Sequence, residues 1–510
     1  MSTFSIILIS VHFLLLLILC LFGLHRLSMV VRWFFYSKTT VKKPEQFSEL
    51  PKITVQIPLY NERLVAKRIV NTVAQLTYPN ERLQIQIVDD SNDETSGIIA
   101  ERVSYYQQQG INIQHVQRAN RQGFKAGALK DAMVSAEGEF IAIFDADFLP
   151  DAEILINNIH HFTQPTLGML QFRWEHLNRR SSLLTKTQAI MLDAHFALEQ
   201  QVRCASNMLF NFNGTGGIWR KETITDAGNW SADTLTEDLD LSYRAQLKGW
   251  KMLYLNNVTC PGELPADMNA FKSQQYRWAK GGVQVMMKML LTVWRAKLPF
   301  FKKLESTFHL SNNLAYLVML IDTLLFLIPS LYLRDKYDWV NIWWLDITLL
   351  FLSSGGHLIY LYSGQLVLNR SKSRALLKIP SLIILGIQLA INNSRAGLEA
   401  LLGKESEFVR TPKTGELQVG TLTSKVHCHN TIDEPTKKSM LLSEVKEQLY
   451  KATPPKGALF ELLIAMVYFI VLLWAIESNH WFMLPFIILL TVGFVTTAIN
   501  SMFHYYKLTK

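Results

Sequence analysis

The sequence predicts an α/β domain with a mostly parallel sheet, inserted into an α-helical membrane domain of about five spanning helices plus interfacial ones. Three observations carry this. Short apolar, β-branched runs alternate with helical stretches between residues 53 and 160. Long apolar runs stand near both ends of the 510-residue chain and raise its mean hydropathy to +0.12. Acidic clusters fall where several of the predicted strands end.

The first apolar run, Phe4 to Leu24, has about the twenty residues that cross a bilayer. Arg26, Arg32, Lys38, Lys42 and Lys43 follow it and no basic residue precedes it, which predicts an uncleaved anchor with its N-terminus outside. From Lys52 the period changes. Ile53–Pro58, Gln84–Asp89, Ile111–Val116 and Phe140–Asp145 read as strands. Glu62–Gln75, Glu94–Gln109, Lys125–Ala136 and Asp151–His160 read as the helices between them. Ser181–Ser206 and Val283–Phe301 are amphipathic, and the second suits a helix lying in the headgroup plane. Leu314–Leu333, Trp339–Tyr362, Leu459–Ile476 and Trp481–Tyr505 are long enough to span. Ile379–Ile391 is too short, and Asn392-Asn393-Ser394-Arg395 interrupt it, so an interfacial segment is expected there. The expected units are therefore an anchor (1–36), a cytoplasmic α/β domain (37–282), an interfacial helix (283–310), a spanning pair (311–368), a cytoplasmic interfacial segment with a loop (369–458) and a final spanning pair (459–510).

Composition narrows the function. The net charge of +9 comes from Lys and Arg flanking apolar runs, as in cytoplasmic membrane-facing loops. No basic stripe with interleaved aromatics appears, so no nucleic-acid partner is expected. The four cysteines form no Cys-x-x-Cys pair, which fits a reducing compartment. His427-Cys428-His429 lacks a set of partner ligands and is read as incidental.

In parallel sheets ligands bind beyond the carboxyl ends of the strands. Those ends read Pro58-Leu59-Tyr60-Asn61-Glu62, Asp89-Asp90-Ser91-Asn92-Asp93 and Asp145-Ala146-Asp147. Two carboxylates one residue apart repel unless a cation lies between them. Mg²⁺ or Mn²⁺ shared with a diphosphate answers that need. Asp89 or Asp90 can accept hydrogen bonds from a nucleotide base or ribose. Arg118, Arg121 and Lys125, interleaved with Gly123, open a helix in a way that favours phosphate. Gly214, after Phe212-Asn213, lets backbone approach a ligand closely. Farther on, Thr236-Glu237-Asp238 offers a carboxylate at a helix start, where the dipole favours the ionised form. Gln274-Gln275-Tyr276-Arg277-Trp278 offers a planar cation for phosphate beside an indole face for a sugar ring.

Together, Asp89-Asp90, Asp145-x-Asp147, Thr236-Glu237-Asp238 and Gln274-x-x-Arg277-Trp278 resemble the membrane-integrated family 2 glycosyltransferases. These include cellulose synthase, hyaluronan synthase and, with the greatest resemblance here, the plant cellulose-synthase-like mannan and xyloglucan-backbone synthases. Phe212-Asn213-Gly214-Thr215 is similar to their acceptor-side segment, and the resemblance extends over about residues 1–415. It implies a GT-A fold and inverting transfer of a hexose, from UDP-glucose or GDP-mannose, to a growing β-linked polysaccharide at the cytoplasmic membrane face, with export. By the same resemblance Tyr60, Glu62, Asp89, Asp90, Lys125 and Asp145 contact the nucleotide sugar, and Asp145 and Asp147 hold the metal. Asp238 is the general base, while Phe212, Asn213, Gly214, Gln274, Arg277 and Trp278 face acceptor and diphosphate. Phe408-Val409-Arg410-Thr411-Pro412-Lys413 is similar to a gating segment FxVTxK, departing from it at Arg410. The competing expectation is a non-processive enzyme that adds one sugar to diacylglycerol or ceramide. Polar residues within the apolar runs (Asn312, Asn313, Asp322, Asp346, His357, Asn500) suit either a polysaccharide path or contacts between helices.

Overall fold

The computed structural model describes residues 2–39, 41–337, 342–406, 411, 413, 415, 455–479, 481 and 483–509. The His427-Cys428-His429 cluster and Phe408, Val409, Arg410 and Pro412 lie outside the described residues.

A seven-stranded sheet, in the order β3-β2-β1-β4-β6-β5-β7, forms the α/β domain. Its strands are β1 (Ile53–Leu59), β2 (Leu83–Asp89), β3 (Ile113–Gln117), β4 (Phe140–Ile143), β5 (Leu167–His176), β6 (Gly217–Arg220) and β7 (Lys251–Gly262). The first four are parallel neighbours, as the alternating pattern predicts. The other three were not anticipated. β6 runs antiparallel to both β4 and β5, so the sheet is mixed. Ile53, Val55, Ile57, Ile85 and Ile87 point into one fully buried face, and each such side chain contributes roughly 1.5–3 kcal/mol by burial. The other face carries a buried polar ladder, in which Thr54 donates to Gln84 at 2.7 Å and Gln56 to Gln86 at 3.0 Å.

Helix α1 (Thr3–Tyr36) precedes the sheet. α2 (Arg63–Ala74), α3 (Thr95–Gln108), α4 (Phe124–Ala132) and α5 (Ile154–Asn158) lie between the first strands. α6 (Leu183–Asp193) passes through a wider π turn, Ala194–Gln200, into α7 (Gln201–Ala205). α8 (Lys221–Asp226), α9 (Glu237–Leu247), α10 (Met268–Arg295) and α11 (Phe300–Ser311) follow. α10 runs unbroken across residue 282, where a domain boundary was expected.

Among the described residues five helices are long and apolar enough to cross a membrane, Thr3–Tyr36, Leu314–Lys336, Trp344–Val367, Lys372–Leu401 and Leu459–Glu477, and the chain is a membrane protein. The run expected to be too short thus belongs to one of the five, whereas Leu484–Ile499 is a shorter apolar helix. Two expectations change here. The helix begun at Ile379 does not stop at Ile391 but continues to Leu401. Its polar residues are absorbed rather than disruptive: Asn392 donates to the Lys272 carbonyl at 2.9 Å and Ser394 to the Tyr316 carbonyl at 2.8 Å. The anchor helix likewise runs on past Leu24, and Arg26 turns inward to pair with Glu199 at 2.6 Å. Asp322 and Asp346 face His12 and Arg334, at 2.8 Å for His12–Asp322 and 2.5 Å for Arg334–Asp346. These two carboxylates therefore hold helices together.

Candidate active site

The carboxyl ends of β1, β2, β4 and β5 open onto one cavity of about 190 Å³, closed on the far side by α9 and α10. Its walls bring together Tyr60, Glu62, Asp90, Lys125, Asp145, Asp147, Asn213, Gly214, Asp238, Gln274, Arg277 and Trp278. Two expected residues are not among them. Asp89 is buried beneath the strand end, where its carboxylate accepts from Ser96 at 2.6 Å and faces His115 at 2.8 Å. Burial alone would raise its pKa, but His115, Ser91 and Ser96 hold it down at about 2. Phe212 packs edge-on against Trp219 in the core, 5.6 Å between ring centres.

At the β1 and β2 ends, the Arg121 guanidinium sits 3.4 Å from the centre of the Tyr60 ring. Asp90 is gripped by Arg118 at 2.5 and 2.8 Å. Arg118 is thus committed to organising the strand end, while Lys125 reaches the β4 end and meets Asp145 at 2.5 Å. Burial works against charge on Lys125, but Asp145 and Glu237 outweigh it and raise the pKa. Asp147 pairs with Lys413 at 2.5 Å.

Asp145 and Asp147 both face the cavity, and this donor set fits Mg²⁺ or Mn²⁺. Among the described residues no group of three or more His, Cys, Asp or Glu side chains stands ready to hold an ion. A cation here must complete its shell with substrate oxygens and water, as Mg²⁺ does at diphosphates. Burial, followed by the repulsion of Asp147, lifts Asp145 above the ordinary carboxylate range despite Lys125.

Asp238 stands in the first turn of α9, as expected, but its electrostatics differ from the sequence reading. Burial first, and the neighbouring Glu237 second, push its pKa up to about 7. The backbone N–H of Leu239, 2.8 Å away, and Lys125 oppose this without reversing it. Desolvation outweighs the helix dipole because a partial charge acts on the first turn only, whereas burial removes the whole hydration shell. Gly214, at φ +80°, brings its carbonyl within 2.9 Å of Lys125 Nζ. A Cβ there would sit 3.1 Å from the Asp238 carboxylate.

Sequence reasoning missed Trp174. It stacks on Phe196 with centroids 4.6 Å apart and lies 6.5 Å from Trp278, so two indoles share one wall. The run Leu170-Gln171-Phe172-Arg173-Trp174 has the composition of a strand and was the available signal. From the gating-like segment, Thr411 accepts a hydrogen bond from Arg277 at 2.9 Å, and Lys413 holds Asp147 as above.

Residues 51–281 match the family model described as glycosyltransferase-like family 2. Glucomannan 4-β-mannosyltransferase 1 of Cyamopsis tetragonoloba is 38% identical over 273 residues, 52% of this chain and 51% of that protein. Glucomannan 4-β-mannosyltransferase 2 of Arabidopsis thaliana is 41% identical over 262 residues, 50% of this chain and 49% of that protein. The chain thus matches about half the length of these curated relatives. Among solved structures, the mannosyltransferase PcManGT of Pyrobaculum calidifontis, in complex with GDP-Man and Mn²⁺, superposes with a TM-score of 0.50 at 18% identity, over 78% of this chain and 100% of that one. That likeness shows the GT-A fold. Over residues 51–281 the chain is therefore similar to the glycosyltransferase-like family 2 proteins, with the two glucomannan 4-β-mannosyltransferases among its sequence relatives.

Proposed function

We propose that the chain is an inverting glycosyltransferase that moves a hexose from a nucleotide sugar to a growing β-linked polysaccharide at the cytoplasmic membrane face, with export. The convergence of Asp238, Lys125, Asp145, Asp147, Arg277 and the Trp174–Trp278 wall on one cavity carries this reading. The names of the sequence relatives favour a mannosyl donor, with GDP-mannose ahead of UDP-glucose. In this reading the indoles offer flat faces to acceptor sugar rings. Asp238 takes the proton of the acceptor hydroxyl as its oxygen bonds to the anomeric carbon and the bond from that carbon to the diphosphate breaks. Lys125 and Arg277 meet the charge that develops on the leaving diphosphate. A divalent ion held by Asp145 and Asp147 would add Lewis-acid stabilisation of that charge.

The test incubates the purified protein in bilayers with labelled GDP-mannose or UDP-glucose, then sizes the product and extracts it with organic solvent. A long, solvent-insoluble glycan supports the proposal. A single sugar on diacylglycerol or ceramide would favour the glycolipid reading, and no nucleotide release with any donor would refute both.

Although it is long and apolar enough to cross a membrane, helix Ile379–Leu401 is proposed to lie at the membrane surface, with both ends on the side of the α/β domain. Its leading end follows Arg370, which pairs with Glu175 at 3.1 Å, and beyond its trailing end Thr411 and Lys413 reach Arg277 and Asp147. The expected result is that a cysteine at position 406 resists an impermeant thiol reagent added outside intact cells. Labelling from outside would overturn this topology.

Gly214→Ala is expected to lower transfer by at least about tenfold. The substitution crowds Asp238 and strains a left-handed backbone by about 1–2 kcal/mol. Nucleotide release under saturating donor checks it, and wild-type turnover would remove Gly214 from the site.

A further inference from the structure

Glu399, near the C-terminal end of the helix Ile379–Leu401, lines no part of the cavity yet gathers groups from two elements that do. Its side chain is 12% exposed. One oxygen accepts from the Tyr276 hydroxyl and lies 3.3 Å from Lys280 Nζ. The other accepts from Arg395 Nε at 2.8 Å, with Lys404 Nζ at 3.8 Å. Lys280, whose side chain is fully buried, also donates to the hydroxyl of Ser406, and the Tyr276 hydroxyl lies 3.3 Å from the same oxygen.

Tyr276 and Lys280 are four residues apart on α10 and so share one face. Arg277 and Trp278 are turned roughly 100° and 200° away from Tyr276 around the same helix, and both line the cavity. Holding the Tyr276–Lys280 face against Glu399 therefore sets the roll of α10, and with it the direction of Arg277 and Trp278. The opposite constraint comes from Gly281, where a Cβ would lie 2.8 Å from the backbone nitrogen of Thr236, the residue that precedes α9 and Asp238. Ser406 adds a second consequence, because the chain beyond it supplies Thr411 to Arg277 and Lys413 to Asp147.

We infer that Glu399 is a positioning residue that registers α10 and the segment carrying Thr411 and Lys413 against the cavity, so that one carboxylate aligns both sides of the diphosphate end. The kinetic part of this inference rests on the proposed glycosyl transfer. Its conformational part does not.

The test compares full-length wild type with Glu399→Gln, and with Tyr276→Phe as the milder variant should Glu399→Gln fail to fold. Three readouts are taken: amide exchange of the peptide spanning 404–415, calorimetric binding of GDP and UDP, and the donor KM and kcat. Gly415 N–H, which donates to Glu263 at 3.2 Å, reports whether the segment stays docked. The expected result is faster exchange confined to 404–415, a donor KM and nucleoside diphosphate Kd raised by about 10-fold to 10²-fold, and a smaller change in kcat. Adding Thr411→Val to Glu399→Gln should then raise KM little further, because both act through one contact. Unchanged exchange at 404–415, or a lowered melting temperature with KM and Kd at wild-type values, would overturn the inference. If the wild type neither binds GDP or UDP nor transfers sugar, the proposed function fails, and the exchange of 404–415 still decides the role of Glu399.

Discussion

Asp238→Asn lowers kcat by about 10²-fold or more and leaves the affinity for the nucleotide sugar nearly unchanged. The amide keeps the size and the bond from Leu239 N–H but cannot take a proton. An acceptor hydroxyl is far less acidic than any carboxylic acid, so its proton moves late, and the base acts on the transition state rather than on binding. The pKa of about 7 at Asp238 adds a pH signature. Only the ionised form accepts a proton, so the rate should climb with pH through about 7 and level above it. Glu237 contributes to the raised value by like-charge repulsion. Glu237→Gln should therefore move the acid limb to lower pH, so the variant keeps a larger share of its maximum at acidic pH. Stability has the opposite slope. A carboxyl raised from about 3.9 in the unfolded chain to about 7 in the fold stabilises fully below the first value and loses that contribution as pH rises through the second. Asp238→Asn should accordingly melt higher than wild type in alkaline buffer, which also shows that its lost turnover is not lost folding. If the variant instead lost nucleotide-sugar binding while bound donor still turned over, Asp238 would be a donor ligand.

Chelation of divalent ions abolishes transfer, and Asp147→Asn weakens donor binding together with turnover, by about tenfold or more in each. Two carboxylates with no third protein ligand among the described residues make a weak site alone. Mn²⁺ binding followed by spin resonance should hence tighten sharply when GDP or UDP supplies phosphate oxygens, and Asp147→Asn should blunt that tightening. The lysine pairs sharpen the expectation. Removing the Asp147 charge leaves the Lys413 ammonium without its 2.5 Å partner, so the segment carrying it should loosen in the same variant. Full activity in excess chelator would dismiss the metal role.

Much of this was readable along the chain, for reasons that are local. The strands β1 and β2 announce themselves by their period of two, with Ile53, Val55, Ile57, Leu83, Ile85 and Ile87 on one buried face and Thr54, Gln56, Gln84 and Gln86 paired on the other. Tyr60, Asp90, Asp145 and Asp147 follow, since a strand end is a position in sequence as well as in space. The apolar runs of the membrane helices are equally local, because a bilayer demands about twenty of them in succession.

The tertiary structure decided what depends on neighbours remote in sequence. Asp89 and Asp90 are chemically alike in the chain, but strand pleat sends one toward His115 beneath the sheet and the other into the cavity. β5, β6 and β7 carry mixed patterns and find their pairing only when the sheet assembles, so Trp174 was invisible as a wall of the site. Asn392 and Ser394 look like the end of a helix until Lys272 and Tyr316 offer their carbonyls. For Asp238 the residue order promised a carboxylate held ionised by the helix start and the fold instead raised its pKa to about 7, because desolvation is set by everything packed around a group, whereas a helix start supplies only a partial charge.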